Sequence, residues 1–417
     1  MNILLKTRAK IIPLKYLLGW LLVLTLAALA QPGLPATAQT TGPSATDPNV
    51  SPQAALERLF TSDTIEDAWF SDTFLAQTPL AQIETVLAQL IQEAGDFQQV
   101  EGETSPFTVR FAHGQTTAAI TLDSAGRIIG LFFAPLIPLV NTPDEAIEQF
   151  AALPGQVSVL VLEDGEALAA LNADESLAVG SAFKLAILAA LRAQIEAGQH
   201  RWDEVVTLDP AWKSLPGGIL QDWPAESPLT VHTLATLMIS ISDNTATDTL
   251  LHLVGRSAVE AYAGDNRPLL TTQEIFKLKA LPNANGLTEY QAGDEGAKRQ
   301  VLAELADLPL PAPADFPSTP NLAVEWFFRP GELCELIRQG QDLDLMTVNP
   351  GVASPADWAR VAFKGGSETG VLNLTHWLEA DNGATYCVVV TQNRTDAAVN
   401  EAQLTALTRA LIGTLRR

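Results

Sequence analysis

The chain has 417 residues and carries 48 acidic against 25 basic side chains, a formal net charge of −23. Hydrophobic residues make up 47% and charged ones 18%, which is apolar side chain enough for more than one buried core and too little charge for a disordered polymer. So large a negative excess repels nucleic acid and anionic lipid, and it excludes both as partners of the folded surface.

The N-terminus differs from the rest. Lys6, Arg8, Lys10 and Lys15 lead into an uncharged, leucine-rich run from Tyr16 to Ala30, and no acidic residue occurs before Asp47. A membrane-spanning helix needs about 20 apolar residues and a secretory signal only ~7–15, so the run fits the second. Small residues at Ala36 and Ala38, loosened by the Pro and Gly before them, offer the better cleavage site; Ala28 and Ala30 offer another. Residues 1–38 therefore read as a secretory signal peptide, with an uncleaved anchor as the alternative. No cysteine follows it to carry a lipid. Cleavage removes four positive charges and no negative one, taking −23 to −27, and leaves an exported protein, periplasmic or extracellular, without stable membrane insertion.

Residues 39–50 are polar and rich in turn formers, a linker. Helical spacing follows at Ala55, Leu56, Leu59 and Phe60, and again at Ile83, Val86, Leu87 and Leu90. After Gly95 the period shortens to two, with Val109 and Phe111, then Ala118, Ile120 and Leu122; Asp123-Ser-Ala-Gly126 reads as a hairpin turn before Ile128 to Phe133. Helices followed by antiparallel strands predict a small α+β domain over 51–137. This order resembles the cone-shaped fold of steroid isomerases and polyketide cyclases, a resemblance of pattern without a catalytic motif. It implies a ligand cup or docking surface; a packing domain is the alternative.

Prolines at 135, 138 and 143 punctuate the junction to a second domain, 140–417. There the pattern predicts a helix over Asp144–Ala152 and strands over Val157–Leu162 and Ala167–Leu171. Helical stretches follow over Ser181–Gly198, Thr230–Gly255 and Pro330–Gly340. Strands return over Arg360–Lys364, Val371–Leu378 and Ala384–Thr391, and a last helix spans Ala397–Leu415. Strands at both ends with helices between them describe an α/β sandwich whose sheet joins the two ends of the domain. Cys334 falls in a predicted helix and Cys387 in a β-branched run; two buried thiols are expected rather than a bridge.

Three short segments carry chemistry. Ser181 and Lys184 stand one helical turn apart on the same face. A serine hydroxyl is a poor nucleophile until a base takes its proton, and a lysine with a depressed pKa can be that base. Ser242-Asp243-Asn244 puts three small polar residues inside an apolar helical stretch. Lys364-Gly365-Gly366 closes a strand before Ser367-Glu368-Thr369-Gly370. The chain beyond residue 38 has six lysines, and two of them fall in these segments. Their order, together with Leu215-Pro-Gly-Gly-Ile-Leu220 and the text around Ser242, resembles the class A β-lactamases and penicillin-binding transpeptidases over about residues 140–417.

The resemblance implies an antiparallel sheet flanked by helices, an all-helical subdomain, and an acyl-enzyme on Ser181. Lys184 is then the base and Ser242 the proton relay to the leaving group. Asn244, Lys364, Gly366, Ser367 and Thr369 line the substrate, and the backbone N–H groups of Ser181 and Ser367 form the oxyanion hole. The implied substrate is a small molecule: a β-lactam, a peptide amide or an ester. Two departures stand out. Gly365 replaces the usual hydroxyl residue, and no Glu-x-x-Leu-Asn lies between Asn244 and Lys364, so the glutamate that activates the deacylating water is missing. Glu274 is nearest in position. Slow deacylation is expected, and a non-turnover penicillin-recognising protein or a D,D-peptidase or esterase is the alternative. The five histidines show no metal-ligand spacing, and no nucleotide-binding fingerprint occurs, so neither metal nor cofactor is expected.

Overall fold

The computed structural model describes residues 50–134 and 136–416. The expected signal peptide and nearly all of the linker lie outside the described residues. The chain divides into two compact units, the first ending at Leu139 and the second running from Val140 to Arg417.

In the first unit three helices, α1 (Pro52–Thr61), α2 (Asp72–Gln77) and α3 (Leu80–Ala94), precede five strands. These are β1 (Phe97–Glu101), β2 (Phe107–Phe111), β3 (Gly114–Leu122), β4 (Ile128–Phe133) and the short β5 (Ile137–Pro138). Ser51 caps α1 by accepting from Ala54 N, and Pro52 occupies the first helical position, where its missing N–H costs nothing. The strands run in the order β1-β2-β3-β4, with β5 paired to β3, all antiparallel. On α3 the buried residues Ile83, Leu87, Leu90 and Ala94 recur at helical spacing. They share a core with Phe107, Val109, Phe111 and Ile120 from alternate strand positions.

The second unit opens with α4 (Pro143–Ala151), capped by Thr142, then β6 (Gln156–Glu163), β7 (Glu166–Leu171) and the two-residue β8 (Leu177–Ala178). A 3-10 turn, Gly180–Phe183, leads into α5 (Lys184–Glu196). Short strands β9 (Val205–Thr207) and β10 (Pro228–Thr230) form a ribbon before α6 (Val231–Ser240), α7 (Asn244–Val254) and α8 (Arg256–Glu260). Next come α9 (Thr272–Lys279), α10 (Ala284–Ala292) and α11 (Glu295–Ala306). After them β11 (Phe327–Phe328) pairs with β8, and α12 (Pro330–Gly340) follows. The chain closes with β12 (Arg360–Glu368), β13 (Val371–Glu379), β14 (Thr385–Asn393) and α13 (Glu401–Thr414).

The main sheet is antiparallel in the order β12-β13-β14-β6-β7, so its first strands in sequence pair with its last. Val157, Val159 and Val161 face α4 and α13 in one core; Leu160, one residue out of phase, faces α5 and α12 in the other. Burial on both faces is why β6 and β14 read as unbroken apolar runs. Strand β12 is an edge, and that edge borders the site.

The structure corrects four expectations. The stretch Thr230–Gly255 is not one helix: it breaks between Ser240 and Asn244, where Ser242 has φ +58°. The segment after Val179 begins as a 3-10 turn, with Ser181 in the turn and Lys184 opening α5. Strand β12 does not stop at Lys364 but runs on through Ser367 to Glu368, paired along its whole length with β13. Cys334 and Cys387 are joined as a disulfide, not two thiols. Cys334 lies on the face of α12 that carries Leu333 and Ile337, Cys387 points to that same side of the sheet, and their Cα atoms stand 5.8 Å apart, within bridging reach.

Among the described residues no helix is long and apolar enough to cross a membrane, and no group of three or more His, Cys, Asp or Glu could hold a metal ion. The disulfide closes a loop of 53 residues in sequence separation, for which the loss of chain entropy on unfolding is worth about 2–4 kcal/mol. Replacing both cysteines by alanine should lower the urea midpoint accordingly; an unchanged midpoint would show that the bridge stabilises nothing.

Candidate active site

Lys184 has no exposed surface and sits among Leu185, Ala186, Ile187 and Leu188. Its ammonium donates to Ser242 O at 2.7 Å, Ser242 Oγ at 3.0 Å and Asn244 Oδ1 at 2.8 Å, three acceptors for three donors. Burial, and then the charge of Lys364, hold this amine well below the usual lysine range, against the opposing pull of Asp248 and Asp243. Ser181, one turn earlier, is half-buried, and its Oγ makes no hydrogen bond with any described residue. The hydroxyl is uncommitted.

The Ser242 loop is held from below. A non-glycine residue at φ +58° costs on the order of 1–3 kcal/mol and persists only where its surroundings impose it. Here the fully buried Asp243 does so. Its Oδ2 accepts from Ile219 N (2.7 Å) and Leu220 N (2.9 Å), and its Oδ1 caps α7 by accepting from Ala246 N (2.8 Å). The loop from Leu215 to Leu220 wraps this carboxylate so closely that a Cβ on Gly218, at φ +95°, would overlap Asp243 Oδ2. Asn244 N donates to Gly217 O at 2.8 Å and its Nδ2 to Leu215 O at 3.3 Å, so the amide that receives Lys184 is also oriented.

Lys364 approaches from β12. Its ammonium donates to Ser242 Oγ at 3.1 Å and to Gly365 O at 2.5 Å, and burial lowers its pKa to about 7. Ser242 Oγ is thus flanked by two lysine nitrogens. When either amine is neutral, the hydroxyl can donate to it and accept from the other, which makes a short proton path.

Gly366 brings the strand onto the turn. A Cβ there would overlap Val179 O and lie 2.5 Å from Ser181 N and 2.8 Å from Ala182 N. The approach also places Ser367 N 3.3 Å from the Cβ position of Gly180, so the strand segment Gly366–Ser367 packs directly on the turn segment Gly180–Ser181. Gly365, the departure from the expected hydroxyl residue, has a packing cause: a Cβ would stand 2.8 Å from the Phe363 ring and 3.1 Å from Asn373 O. Thr369, in the turn beyond β12, is exposed and takes no part in the hydrogen bonds around Ser242.

The glutamates of the interval are engaged elsewhere. Glu274 closes a capping box with Thr271 (2.8 Å) and pairs with Arg256 (2.6 Å). Glu260 and Glu295 hold Arg299, Glu304 accepts from Gln300, Glu325 pairs with Lys279, Glu332 with Arg329 and Glu335 with Arg338, and Glu289 is exposed. None bonds to Lys184, Ser242 or Lys364. Asp248 escaped the sequence reading, although it stands one turn after Asn244. Buried, it accepts from Thr272 N (2.7 Å) and Gln273 N (3.0 Å), and burial raises its pKa to about 7. Thr272 Oγ1 donates to Ser214 Oγ at 2.6 Å, tying α9 to the loop before Leu215. Trp212 stacks on His252 (centroids 4.9 Å) and Trp202 packs on the helical core, while Trp223 is exposed.

Substituting Gly366→Ala tests the strand-to-turn contact. Because the added methyl meets backbone, β12 must move off the turn. Reaction at Ser181 is expected to fall by ~10²–10³-fold, the scale of one lost oxyanion donor, with the melting temperature lowered by the overpacking, which costs about 1–3 kcal/mol. Unchanged labelling kinetics would show that Ser367 N is not at the reacting oxygen.

Residues 141–303 match the family described as the Beta-lactamase enzyme family, a span that includes Ser181, Lys184, Ser242 and Asn244. A comparison with curated proteins found no match. Among solved structures, the chain is similar to a β-lactamase from Sphaerobacter thermophilus, at 22% identity over 65% of this chain and 95% of that one, with a TM-score of 0.45. It is also similar to a β-lactamase from Chitinophaga pinensis (19% identity, 66% and 98% covered, TM-score 0.46) and to PBP-A (17%, 66% and 96%, TM-score 0.43). That family match runs through the first two motifs, and Lys364 of the third is bonded to Ser242 of the second, so the second unit is similar to the serine β-lactamase-like family over the catalytic segments.

Proposed function

We propose that the second unit is a serine hydrolase that forms an acyl-enzyme on Ser181 with a β-lactam or a related amide or ester. The observation that carries this reading is the pair of buried lysine nitrogens on Ser242 Oγ beside an uncommitted Ser181 hydroxyl. Neutral Lys184 takes the Ser181 proton as Oγ attacks the carbonyl carbon. The developing oxyanion is met by the N–H groups of Ser181 and Ser367, and Ser242 passes a proton to the leaving nitrogen or oxygen while Lys364 restores it. Catalytic hydrogen bonds of this kind commonly close only once substrate is bound. Asn244 holds the substrate amide.

Deacylation is the weak step. No glutamate between Asn244 and Lys364 bonds to this network, and the nearby carboxylates of Asp243 and Asp248 are engaged by backbone N–H groups. This favours a second reading, a penicillin-recognising protein that is acylated and released slowly, or a D,D-peptidase or esterase. The basic, apolar N-terminus and the Cys334–Cys387 disulfide support an exported protein, since such bridges persist in oxidising compartments.

Intact-mass spectrometry over time, after exposure to a penicillin and to an activated ester, tests both readings. The wild-type chain should gain one acyl group that persists, Ser181→Ala should gain none, and Lys184→Ala should acylate ~10²–10⁴-fold more slowly. Labelling of Ser181→Ala equal to wild type would remove the assignment. Rapid return to the free mass would show that some group does activate water.

The pH profile carries a sign. Lys184 accepts a proton only when neutral, so acylation rises with pH through its lowered pKa. Removing the Lys364 charge raises that pKa, so in Lys364→Met the acid limb should move to higher pH. Lys364 titrates at about 7 itself, so the difference should be confined to pH below about 7. Identical acid limbs would mean that Lys184 is not the titrating base.

A further inference from the structure

A second buried charge cluster flanks the site. Lys279 is the last residue of α9, Glu325 directly precedes Trp326, and Glu368 ends β12 next to Ser367. The Lys279 ammonium bonds to Glu325 Oε1 and, at 2.7 Å, to Glu368 Oε1. The Glu325 side chain has no exposed surface, and its Oε2 has no hydrogen-bond partner among the described residues. Glu368 is about a third exposed.

Two carboxylates around one ammonium leave a surplus negative charge, and at Glu325 it falls on a side chain with no exposed surface. A buried charge without compensation is far more costly than the ion pair is favourable, and carboxyl groups sharing a site keep a proton between them. A proton on Glu325 Oε2 cancels the surplus and supplies a donor to Glu368, which fills the one vacancy in the cluster. Glu325 and Glu368 each adjoin a residue that packs on the turn of Ser181. The Trp326 carbonyl accepts from Val179 N at 2.9 Å, and its ring lies flat on Phe183, centroids 3.8 Å apart. Its indole N–H donates to Leu270 O at 3.0 Å. Glu368 adjoins the strand residue whose N–H meets the Ser181 turn.

We propose that Glu325, Lys279 and Glu368 share one proton and act together as a positioning cluster that holds the Ser367 end of β12 against the turn of Ser181. Its catalytic consequence rests on the assignment of Ser181 as the acylated residue. The charged groups around Glu325 are Lys279 from α9, Glu368 from β12 and, lining the same cavity of about 310 Å³, Asp265, Arg267 and Lys298. Burial pushes the Glu325 carboxyl well above the ordinary range, Lys279 opposes this, and Glu368 adds to the rise.

The test compares E325Q, E368Q and the double variant in the full chain, with a fluorescent penicillin and a fluorophosphonate as probes. Either single neutralisation leaves one carboxylate for Lys279, so each should label within about tenfold of wild type, the scale of one exchanged hydrogen bond. The double variant strands a buried ammonium and should label ~10²-fold more slowly while circular dichroism shows it folded. Melting temperature against pH gives a second arm that needs no reaction and no double variant. A raised carboxyl pKa contributes stability that is present below the ordinary glutamate range and is lost as pH rises through the raised value. The advantage of wild type over E325Q should therefore shrink with rising pH. A single variant that collapses as far as the double, a double that labels like wild type, or a pH-independent difference in melting temperature would each overturn the proposal. If wild type labels at no residue, the function reading fails and the melting arm still decides whether the proton is shared.

Discussion

An ammonium group without exposed surface, carried on a helix otherwise buried among leucine, isoleucine and alanine, organises the second unit. Lys184 cannot remain charged there without three acceptors, and it cannot remain neutral without something to tip the balance. The acceptors come from the Ser242–Asn244 segment, and the tipping charge comes from Lys364 on the sheet. Helical layer and sheet layer thus meet at one point, where a single buried amine is given its acceptors and its pKa is lowered.

That requirement explains features that otherwise look arbitrary. The α6–α7 break exists because a continuous helix would direct the carbonyl of residue 242 along its own axis, whereas the left-handed Ser242 directs both carbonyl and hydroxyl at Lys184. Such a conformation needs support, and Asp243 provides it through three backbone N–H donors from two segments. Gly218 and Gly366 are glycines for the same kind of reason: backbone passes so close to a working group that a methyl would displace it.

Polar burial on this scale has to be balanced charge by charge. Asp243 and Asp248 lie close enough to act on Lys184, and Asp248 caps the start of α9, whose far end delivers Lys279 to Glu325 and Glu368. One helix therefore connects the two buried charge clusters. Glu274, on the same helix, is a capping and pairing residue. Its carboxylate is committed to Thr271 N and Arg256.

What the sequence determined by itself is what depends on local spacing. A three-residue step puts Ser181 and Lys184 on one face, alternation marks Val157, Val159 and Val161 as one side of a strand, and three unusual polar segments announce a site. Those are properties of a few neighbouring residues and survive any tertiary arrangement compatible with them. The remainder was decided by contacts between distant segments. Lys184 meets Ser242 across 58 residues, Lys364 meets it across 122, and Lys279 meets Glu325 and Glu368 across 46 and 89. The break at Ser242, read as helix from its apolar flanks, follows from the demand of a lysine far upstream, and the disulfide from the docking of α12 on β14. Propensity is worth tenths of a kcal/mol per residue, whereas an unsatisfied buried charge costs several; where the two conflict, the fold bends the chain to satisfy the charge.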